Sequence, residues 1–587
     1  MRTSRAHIMT RDDDFRVRLG RVRDRGGARR AKPFIAQALA AAEKAGGMPR
    51  RSGRKASGTA FGRGRAASFA AARRLTDRTR SVAVKARIIR HAGKRTPLRG
   101  HLGYLRREGV TKDGTRGRMF GADVDDVDHR AFAGRCEEDR HHFRFIVSPG
   151  DAGQLSDLKA FTRDLMRQAE WDLGTKLDWI AVDHWNTEHP HIHVIVRGKA
   201  DDGRDLVIAR DYIGHGLRGR AAHLVTLELG PRSDLEIRRA LDAQVEADRW
   251  TGLDRLVAGE AARNGRIVDL RPGTDPQTPE LLRSALIGRM RKLERLGLAE
   301  PLGAGQWQLS EAAEPTMRAL SERNDVIKRI HRALTGRHIE RSVSDYILDQ
   351  GNDTTPVLGR LVARGLDDEL NATAYAVIDG IDGRAHHVRL ANLDATSDAA
   401  PGAIVELRRF GDAAGRQRVA LAVRSDLPLA AQVGAPGATW LDRQLVAREP
   451  VSLGSGGFGR EVREAMDARA EHLIGEGLAR RQGQRTVFAR NLLDTLHRRE
   501  LDATAGQIAS TAGLPHHAAT VGETVAGVYR QRLNLSSGRF AMIDDGLGFS
   551  LVPWSPSLER HLGRHVSGIA EAGRIDWNFG RRRGLSI

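Results

Sequence analysis

The stretch that most constrains this chain is 176–198, KLDWIAVDHWNTEHPHIHVIVRG, where four histidines fall within ten residues. Its composition predicts a strand over KLDWIAVDH and a second strand over HIHVIVR, with the turn-forming segment NTEHP between them. Side chains at positions i and i+2 of a strand point to the same side, so His191 and His193 share one face. His184 ends the neighbouring strand and can add a third imidazole.

Three imidazoles on two adjacent strands predict a metal site with open coordination positions, as catalysis requires. The alternative is a polar strand pair whose histidines contact water, which would be the better interpretation of a single histidine. The expected ion is divalent. Availability and open oxygen positions favour Mg or Mn in the cell, whereas the intrinsic affinity of imidazole favours Zn or Ni.

The positive charge of the chain is confined to its beginning. The net charge is +22, and residues 1–100 hold 28 Lys and Arg against 6 Asp and Glu, while the remainder holds 68 of each. A basic arm on a neutral body indicates a polyanionic partner, most often nucleic acid. A merely solubilising tail is the alternative, but the excess of Arg over Lys suits phosphate.

Membrane and secreted classes are not expected. The sequence has no run of 18 apolar residues, and its Arg-rich start lacks an apolar segment of the kind found in signal peptides. The single cysteine, Cys136, excludes an intrachain disulfide framework and a Cys-type zinc site. These features predict a cytoplasmic protein without membrane insertion.

Periodicity and composition divide the chain into six regions. They are a basic flexible arm at 1–80, an α+β domain at 81–232, a helical, winged-helix-like domain at 233–335, a β-rich domain at 336–430, a helical domain at 431–502 and a β-rich C-terminal domain at 503–587. The second region reads strand, helix, strand, helix, strand, strand. This order predicts an α+β fold whose central antiparallel sheet carries the histidines.

Three further patterns refine the later regions. Residues 281–296 read as the recognition helix of a winged helix, a fold that binds DNA or protein, with phosphate expected to face Arg289, Arg291, Lys292 and Arg295. Segment 358–426 suggests a small barrel, and 437–502 contains a second helix-plus-hairpin pattern. The C-terminal region reads as a β-meander followed by a helix.

A tyrosine in the first helix of the α+β domain has an unusually cationic setting. Tyr104, in GHLGYLRREG, lies among His101, Arg99, Arg106 and Arg107, which should lower its pKa and attract a phosphate. Its helix follows a strand, so Tyr104 can overhang the sheet face that carries the histidines. For Tyr104 alone, an ordinary half-buried helix residue is the alternative. Together with a three-histidine metal site on a basic protein, it suggests phosphodiester transesterification.

The segments GYLRREG, FRFIVSP and HWNTEHPHIHV, in this order, resemble the motifs of the mobilisation relaxases of conjugative plasmids. These enzymes form a branch of the histidine–hydrophobe–histidine (HUH) nucleases, and the likeness is to the MobP-type group that includes the T-DNA border endonuclease. The resemblance implies that Tyr104 is the nucleophile and that Ser148 contacts DNA beside the nick. It also implies metal ligation by His184, His191 and His193.

Two positions depart from the family pattern. Asn186 stands where many members have an acidic residue, and Arg197 stands where many have asparagine. Because the acid is often assigned to orient a ligand or accept the tyrosine proton, the general base stays open. Asp183 and Glu188 are the candidates to replace it.

The resemblance implies an enzyme that nicks one DNA strand at an origin of transfer, forms a 5′-phosphotyrosyl intermediate and later rejoins the strand. The implied partners are single-stranded and supercoiled DNA at the origin, relaxosome accessory proteins and a type IV coupling protein. The C-terminal region resembles one of unassigned role in this subgroup. A DNA-binding remnant without activity is one alternative function.

Another alternative is a replication-initiator-type nickase that uses Tyr212, which follows the histidines in the chain. The segment DYIGH lacks the lysine that those enzymes usually show, so Tyr104 is favoured. In the same region Arg210, Arg218 and Arg220 are predicted to bind phosphates beside the active site, with a solvated helix face as the alternative.

Overall fold

The computed structural model describes residues 78–91, 98–107, 109–185, 189–273, 278–348, 356–411 and 417–579. The basic arm up to residue 77, Asn186 and Glu188 therefore lie outside the described residues. The chain divides into two compact units, Met1–Glu322 and Arg323–Ile587, and each is described by itself.

The first unit begins with the predicted antiparallel sheet. Its strands are β1 (Val82–Arg90), β2 (His141–Pro149), β3 (Leu177–His184) and β4 (His191–Ala200). They lie in the order β1-β2-β4-β3, and every neighbouring pair is antiparallel. The α+β class is thus confirmed for this part of the chain.

Four helices accompany the sheet: α1 (Leu98–Leu105), α2 (His129–Arg135), α3 (Leu158–Leu173) and α4 (Leu217–Leu229). Helix α2 was not predicted, because it is short and its N-terminus depends on the Asp128 side chain, which accepts from the Arg130 amide at 2.8 Å. A five-residue π-helix, Tyr212–Gly216, leads into α4.

The two faces of the sheet differ in what covers them. Alternate strand residues such as Val84, Phe145 and Val194 form one large core with α3 and α4. On the opposite face, Ile180, Val182 and Ile195 pack with the apolar side of α1 in a smaller core. The histidines are on this second face, since Val182 and His184 point the same way along β3.

A helical region completes the first unit. It contains α5 (Asp234–Glu246), α6 (Gly252–Arg263), β5 (Ile267–Asp269), α7 (Glu280–Arg295), β6 (Ala299–Gly303), β7 (Gln306–Leu309) and α8 (Ala313–Thr335). The predicted helix and two-stranded wing are confirmed as α7 and β6–β7, and β5 adds a third strand to the wing. The boundary between the units falls within α8.

The prediction that Arg289 faces phosphate is wrong. Its side chain is fully buried and donates to Asp254 through Nε at 2.8 Å and Nη2 at 2.9 Å. The remaining N–H groups donate to backbone carbonyls of the segment before α6, at Val245, Ala247 and Arg249. All five guanidinium donors are satisfied, so Arg289 is a structural centre of this region. Arg291 and Arg295 are exposed.

The second unit opens with a six-stranded sheet. Its strands are β8 (Tyr346–Leu348), β9 (Leu358–Asp368), β10 (Thr373–Gly380), β11 (Ala385–Leu390), β12 (Ile404–Gly411) and β13 (Gln417–Ser425). The order is β13-β12-β9-β10-β11-β8, and among the residues described here the two edge strands do not pair. The predicted small barrel is therefore wrong: the strands exist, but the sheet stays open.

The helix-plus-hairpin pattern predicted within 437–502 is present in the second unit. Helices α9 (Leu429–Val433) and α10 (Trp440–Leu445) precede it. The pattern itself consists of α11 (Gly457–Gly475) and the hairpin β14 (Ala479–Gln482) and β15 (Arg485–Phe488), and α12 (Leu492–Ala512) follows it. Arg469 is fully buried in α11 and donates to Asp442 as Arg289 does to Asp254. Its other donors bind carbonyls of Val433, Ala435 and Gly437.

The same arrangement therefore occurs twice in the chain. In each copy three carbonyls at alternate positions, a Thr-x-x-Asp capping box and a buried arginine form one centre. The segments RMRKLERLGLA and RAEHLIGEGLA, which start at Arg289 and Arg469, match in the arginine, in a leucine four residues later and in the final Gly-Leu-Ala. The sequence already shows the second helix-plus-hairpin pattern, and the two buried arginines extend the likeness to the whole centre.

A five-stranded sheet ends the second unit. It consists of β16 (Thr524–Leu535), β17 (Gly538–Asp544), β18 (Phe549–Pro553), β19 (His565–Glu571) and β20 (Arg574–Asn578), in the order β18-β17-β16-β19-β20. The predicted terminal helix is wrong, because the segment from His565 pairs with β16 as a strand and only Leu558–His561 form a 3-10 turn. Across the described ranges, no helix combines the length and apolar character needed to cross a membrane.

Candidate metal centre

The three predicted ligands meet on the α1 side of the four-stranded sheet. His184 pairs directly with His191 across β3 and β4, and His193 is two residues further along β4. One ligand nitrogen from each lies within 4.8 Å of the others. The imidazoles are 0%, 9% and 3% exposed for His184, His191 and His193. They form a group that could hold a metal ion.

Backbone carbonyls fix two of the rings. His184 Nε2 donates to the Leu105 carbonyl at 2.8 Å, and His191 Nδ1 donates to the His189 carbonyl at 3.0 Å. Since a carbonyl only accepts, these nitrogens carry the hydrogens in the neutral rings. The lone pairs then reside on His184 Nδ1 and His191 Nε2, which are the atoms that would bind a metal.

The spacing of the nitrogens fits a common ion. His191 Nε2 lies 3.2 Å from His193 Nε2. Two nitrogens bound tetrahedrally to one zinc ion at the usual bond lengths are about 3.3–3.4 Å apart, so the two rings are already at ligand spacing. The observed geometry supports the metal interpretation over solvated histidines.

Tyr104 is linked to this centre through its helix. The Leu105 carbonyl that orients His184 belongs to the next residue of α1. The Tyr104 ring is half-buried and packs on the small core that includes Val182 and Ile195, with the Arg107 guanidinium 4.3 Å from its ring centre. The structure thus places Tyr104 on the helix that covers the histidine face, as the sequence predicted.

Ser148 is also on this side of the sheet. It follows Ile146, which pairs with His193, at the end of β2. Its hydroxyl donates to the carbonyl of Pro190 at 3.4 Å, directly before His191. The five residues implied by the relaxase motifs, Tyr104, Ser148 and the three histidines, therefore gather in one part of the structure.

Of the two candidates for the general base, one can be placed. Asp183 pairs with Ile192, which belongs to the core on the other face of the sheet. Its carboxylate accepts from Trp185 Nε1 at 2.6 Å. Asp183 therefore points away from the histidines and is not positioned to take a proton there. Glu188 lies outside the described residues.

Tyr212 lies across the sheet from the histidines. It is 2% exposed within the core formed by α3 and α4, and its hydroxyl donates to Asp172 at 3.0 Å. Burial, and then the Asp172 charge, raise the pKa of Tyr212 well above its ordinary value. Both the position and the protonation of Tyr212 oppose its use as the nucleophile at this centre.

The predicted phosphate contacts at Arg210, Arg218 and Arg220 are not beside the histidines, which corrects that prediction. Arg218 and Arg220 lie on α4, which covers the opposite face, and Arg210 precedes it. Arg220 forms a bidentate pair with Asp172 at 2.9 and 2.7 Å, because that buried carboxylate needs a cation. Arg218 donates to the Gly214 carbonyl, and Arg210 is exposed.

The arginines near Tyr104 have protein partners. Arg99 pairs with Glu137 at 2.8 Å on the surface. Arg106 donates to the Gly117 carbonyl and lies 2.6 Å from His129, and Arg107 lies over Tyr104. Burial, and then the Arg106 charge, lower the pKa of His129, so its neutral ring can accept from Arg106. Their contact with DNA stays a prediction.

Sequence analysis missed two arginines on the histidine face, Arg87 and Arg144. They are directly opposite each other on β1 and β2, and Arg144 also pairs with Ile195 of β4. The alternation in HHFRFIV was the available signal, because Phe143 and Phe145 enter the large core and Arg144 must then point to the other side.

One family model matches the chain, the one described as "Protein of unknown function (DUF3363)", over residues 286–413 and 408–586. The matched region covers just over half of the chain and begins after the histidine domain. No curated protein and no solved structure matches the chain. By the extent of the family match, the chain belongs to the DUF3363 family, whose function is unknown.

Proposed function

We propose that this chain is a relaxase, a metal-dependent transesterase that cuts one DNA strand with Tyr104 and later rejoins it. The observation that carries the proposal is the Leu105 carbonyl, which orients the ligand His184 from the residue next to Tyr104. A nucleophile-bearing helix and a three-histidine group are thereby linked at one site. The order of the three motifs in the sequence supports the same reaction class.

The roles of the residues follow from their positions. His184, His191 and His193 would hold a divalent ion, which when bound supplies positive charge to a non-bridging oxygen of the scissile phosphate. The phenol of Tyr104 loses its proton as its oxygen attacks phosphorus, the bond between phosphorus and the 3′ oxygen breaks, and the 3′ oxygen takes up a proton and leaves as a hydroxyl. The phosphodiester becomes a phosphotyrosyl ester, so bond energy is conserved for rejoining. Ser148, beside His191, would contact the DNA next to the nick by exchanging its long hydrogen bond to the Pro190 carbonyl for one to the DNA.

The proposal extends to the cellular setting. The chain would act on a supercoiled origin of transfer, work with relaxosome accessory proteins, and be delivered to a type IV coupling protein with the bound strand. The proposed location is the cytoplasm. In the winged-helix-like part, the exposed Arg291 and Arg295 of α7 would face DNA phosphates. A direct test is to mix the purified chain with supercoiled plasmid carrying the intergenic DNA upstream of its gene, and to look for a nicked product with protein on its 5′ end.

The metal requirement gives a separate prediction. We expect EDTA to abolish nicking and added Mn²⁺ or Mg²⁺ to restore it, since the histidines act through the ion that they bind. His191→Ala should lose both metal binding, measured by calorimetric titration with Mn²⁺, and nicking. His189→Ala is the matched control, because the hydrogen bond from His191 is to the backbone carbonyl of residue 189, which the substitution retains. Unimpaired nicking by EDTA-treated protein would contradict the metal role.

A further inference from the structure

Two arginines form a pair on the same sheet face as the histidines. Arg87 and Arg144 are direct cross-strand partners, so their side chains project from neighbouring strands on one side. Arg144 is only 5% exposed, and Arg87 is half-buried. Ile146 pairs with His193, so Arg144, two residues before Ile146, is the diagonal neighbour of His193. In an antiparallel sheet the Cβ atoms of such diagonal neighbours are about 7 Å apart.

This pair lacks a counter-charge within the described part of the chain. Neither guanidinium forms an ion pair there, and Nη1 of Arg87 is buried without a hydrogen-bond partner. Arg197, on the same face, is different, because Asp139 accepts from it at 2.8 and 3.1 Å. Burial, and then the Arg87 charge, lower the pKa of Arg144 to about 10. Placing a buried cation beside a half-buried one is costly unless an anion joins them.

Two hydrogen-bonded histidines, His142 and His91, hold Arg144 in place. Arg144 Nε donates to His142 Nε2 at 3.1 Å, and His142 Nδ1 lies 2.7 Å from His91 Nε2. Burial, followed by the Arg144 charge, lowers the pKa of His142 to about 2, so this ring is neutral and can accept from the arginine. Arg144 donates to His142 through Nε, so its two terminal nitrogens can donate hydrogen bonds to a ligand.

We propose that Arg87 and Arg144 bind one phosphodiester group of single-stranded nucleic acid, at a position next to the phosphate that Tyr104 attacks. Two guanidinium groups side by side match the several acceptor oxygens of a phosphodiester, and each can form charge-assisted hydrogen bonds with it. The site rests on the proposed function for its substrate. The arginine site is separate from the metal centre. The phosphate that it binds would fix which nucleotide of the nucleic-acid strand lies over the histidines.

The test is the salt dependence of binding to a fluorescent oligothymidylate, measured by anisotropy in EDTA so that no cleavage occurs. Releasing one phosphate contact should reduce the slope of log affinity against log salt by about 0.7 for a single strand. We expect Arg87→Gln and Arg144→Gln each to weaken binding about tenfold at low salt. The double variant should lose no more slope than about 0.7, because both arginines hold the same phosphate. Arg90→Gln is the control, since Arg90 is exposed at the end of the same strand.

The outcomes are distinguishable from failure of the proposed function. An unchanged slope in the double variant, or a change equal to that of Arg90→Gln, would overturn the arginine site even if the protein nicks DNA. A reduced slope in a protein that never nicks would support the site while the relaxase proposal failed. Because Arg144 is buried, the result for Arg144→Gln counts only if this variant still binds Mn²⁺ with unchanged affinity. Arg87 is more exposed, so Arg87→Gln tests the site independently. A slope loss of about twice 0.7 in the double variant would mean that the two arginines bind different phosphates, and it would overturn the proposal of one shared phosphate.

Discussion

Tyr104→Phe is expected to form no covalent protein–DNA adduct on denaturing gels, while it binds origin DNA and Mn²⁺ as the unmodified protein does. The substitution removes only the attacking oxygen and keeps the ring that packs against the core of α1 and the sheet. The Leu105 carbonyl that orients His184 is a backbone group and remains in place. Loss of adduct should therefore be complete, because no other group replaces a missing nucleophile.

The matched control for this experiment is Tyr212→Phe, which should still form the adduct. It removes the hydroxyl that donates to Asp172 in the core on the other side of the sheet. We expect a loss of about 1 kcal/mol in stability and no change in nicking. If Tyr212→Phe lost the adduct and Tyr104→Phe kept it, the nucleophile would follow the histidines, and a replication-initiator reaction would replace the relaxase proposal.

The histidine centre was predictable because its determinants are local. His191 and His193 share a face through strand alternation alone, and the short connection after His184 makes the two strands neighbours. Tyr104 was placed correctly because the helix after β1 has one apolar side, which must cover a face of the sheet. Strand alternation also predicts the direction of Arg144, but the arginines near Tyr104 and after the histidines are more closely clustered in the sequence.

The errors arose where distant partners decide the outcome. Arg289 looks like its exposed neighbours in a basic helix, and only Asp254 with three carbonyls, in a preceding segment, explains its burial. Arg220 was assigned to phosphate because its buried partner, Asp172, belongs to another helix. Whether six strands close into a barrel depends on pairing between β8 and β13, which no local pattern encodes.

Asp254→Ala and Asp442→Ala are expected to destabilise their own regions by about 3–5 kcal/mol each, because a fully buried guanidinium then loses its only carboxylate. Each aspartate is also the N3 residue of a capping box, so the start of α6 or α10 loses a partner as well. Hydrogen exchange followed by mass spectrometry should show faster exchange in α7 for the first variant and in α11 for the second.

The control for these variants is Glu314→Gln, which removes an i,i+4 partner of Arg318 on α8 where the carboxylate is largely exposed. A loss of only about 0.3–0.5 kcal/mol is expected there. Since the two centres use the same set of donors and acceptors, the two aspartate variants should have similar local effects. A change in either region no larger than that of Glu314→Gln would show that the buried arginine is compensated without its carboxylate, and that the repeated centre is not what stabilises these two folds.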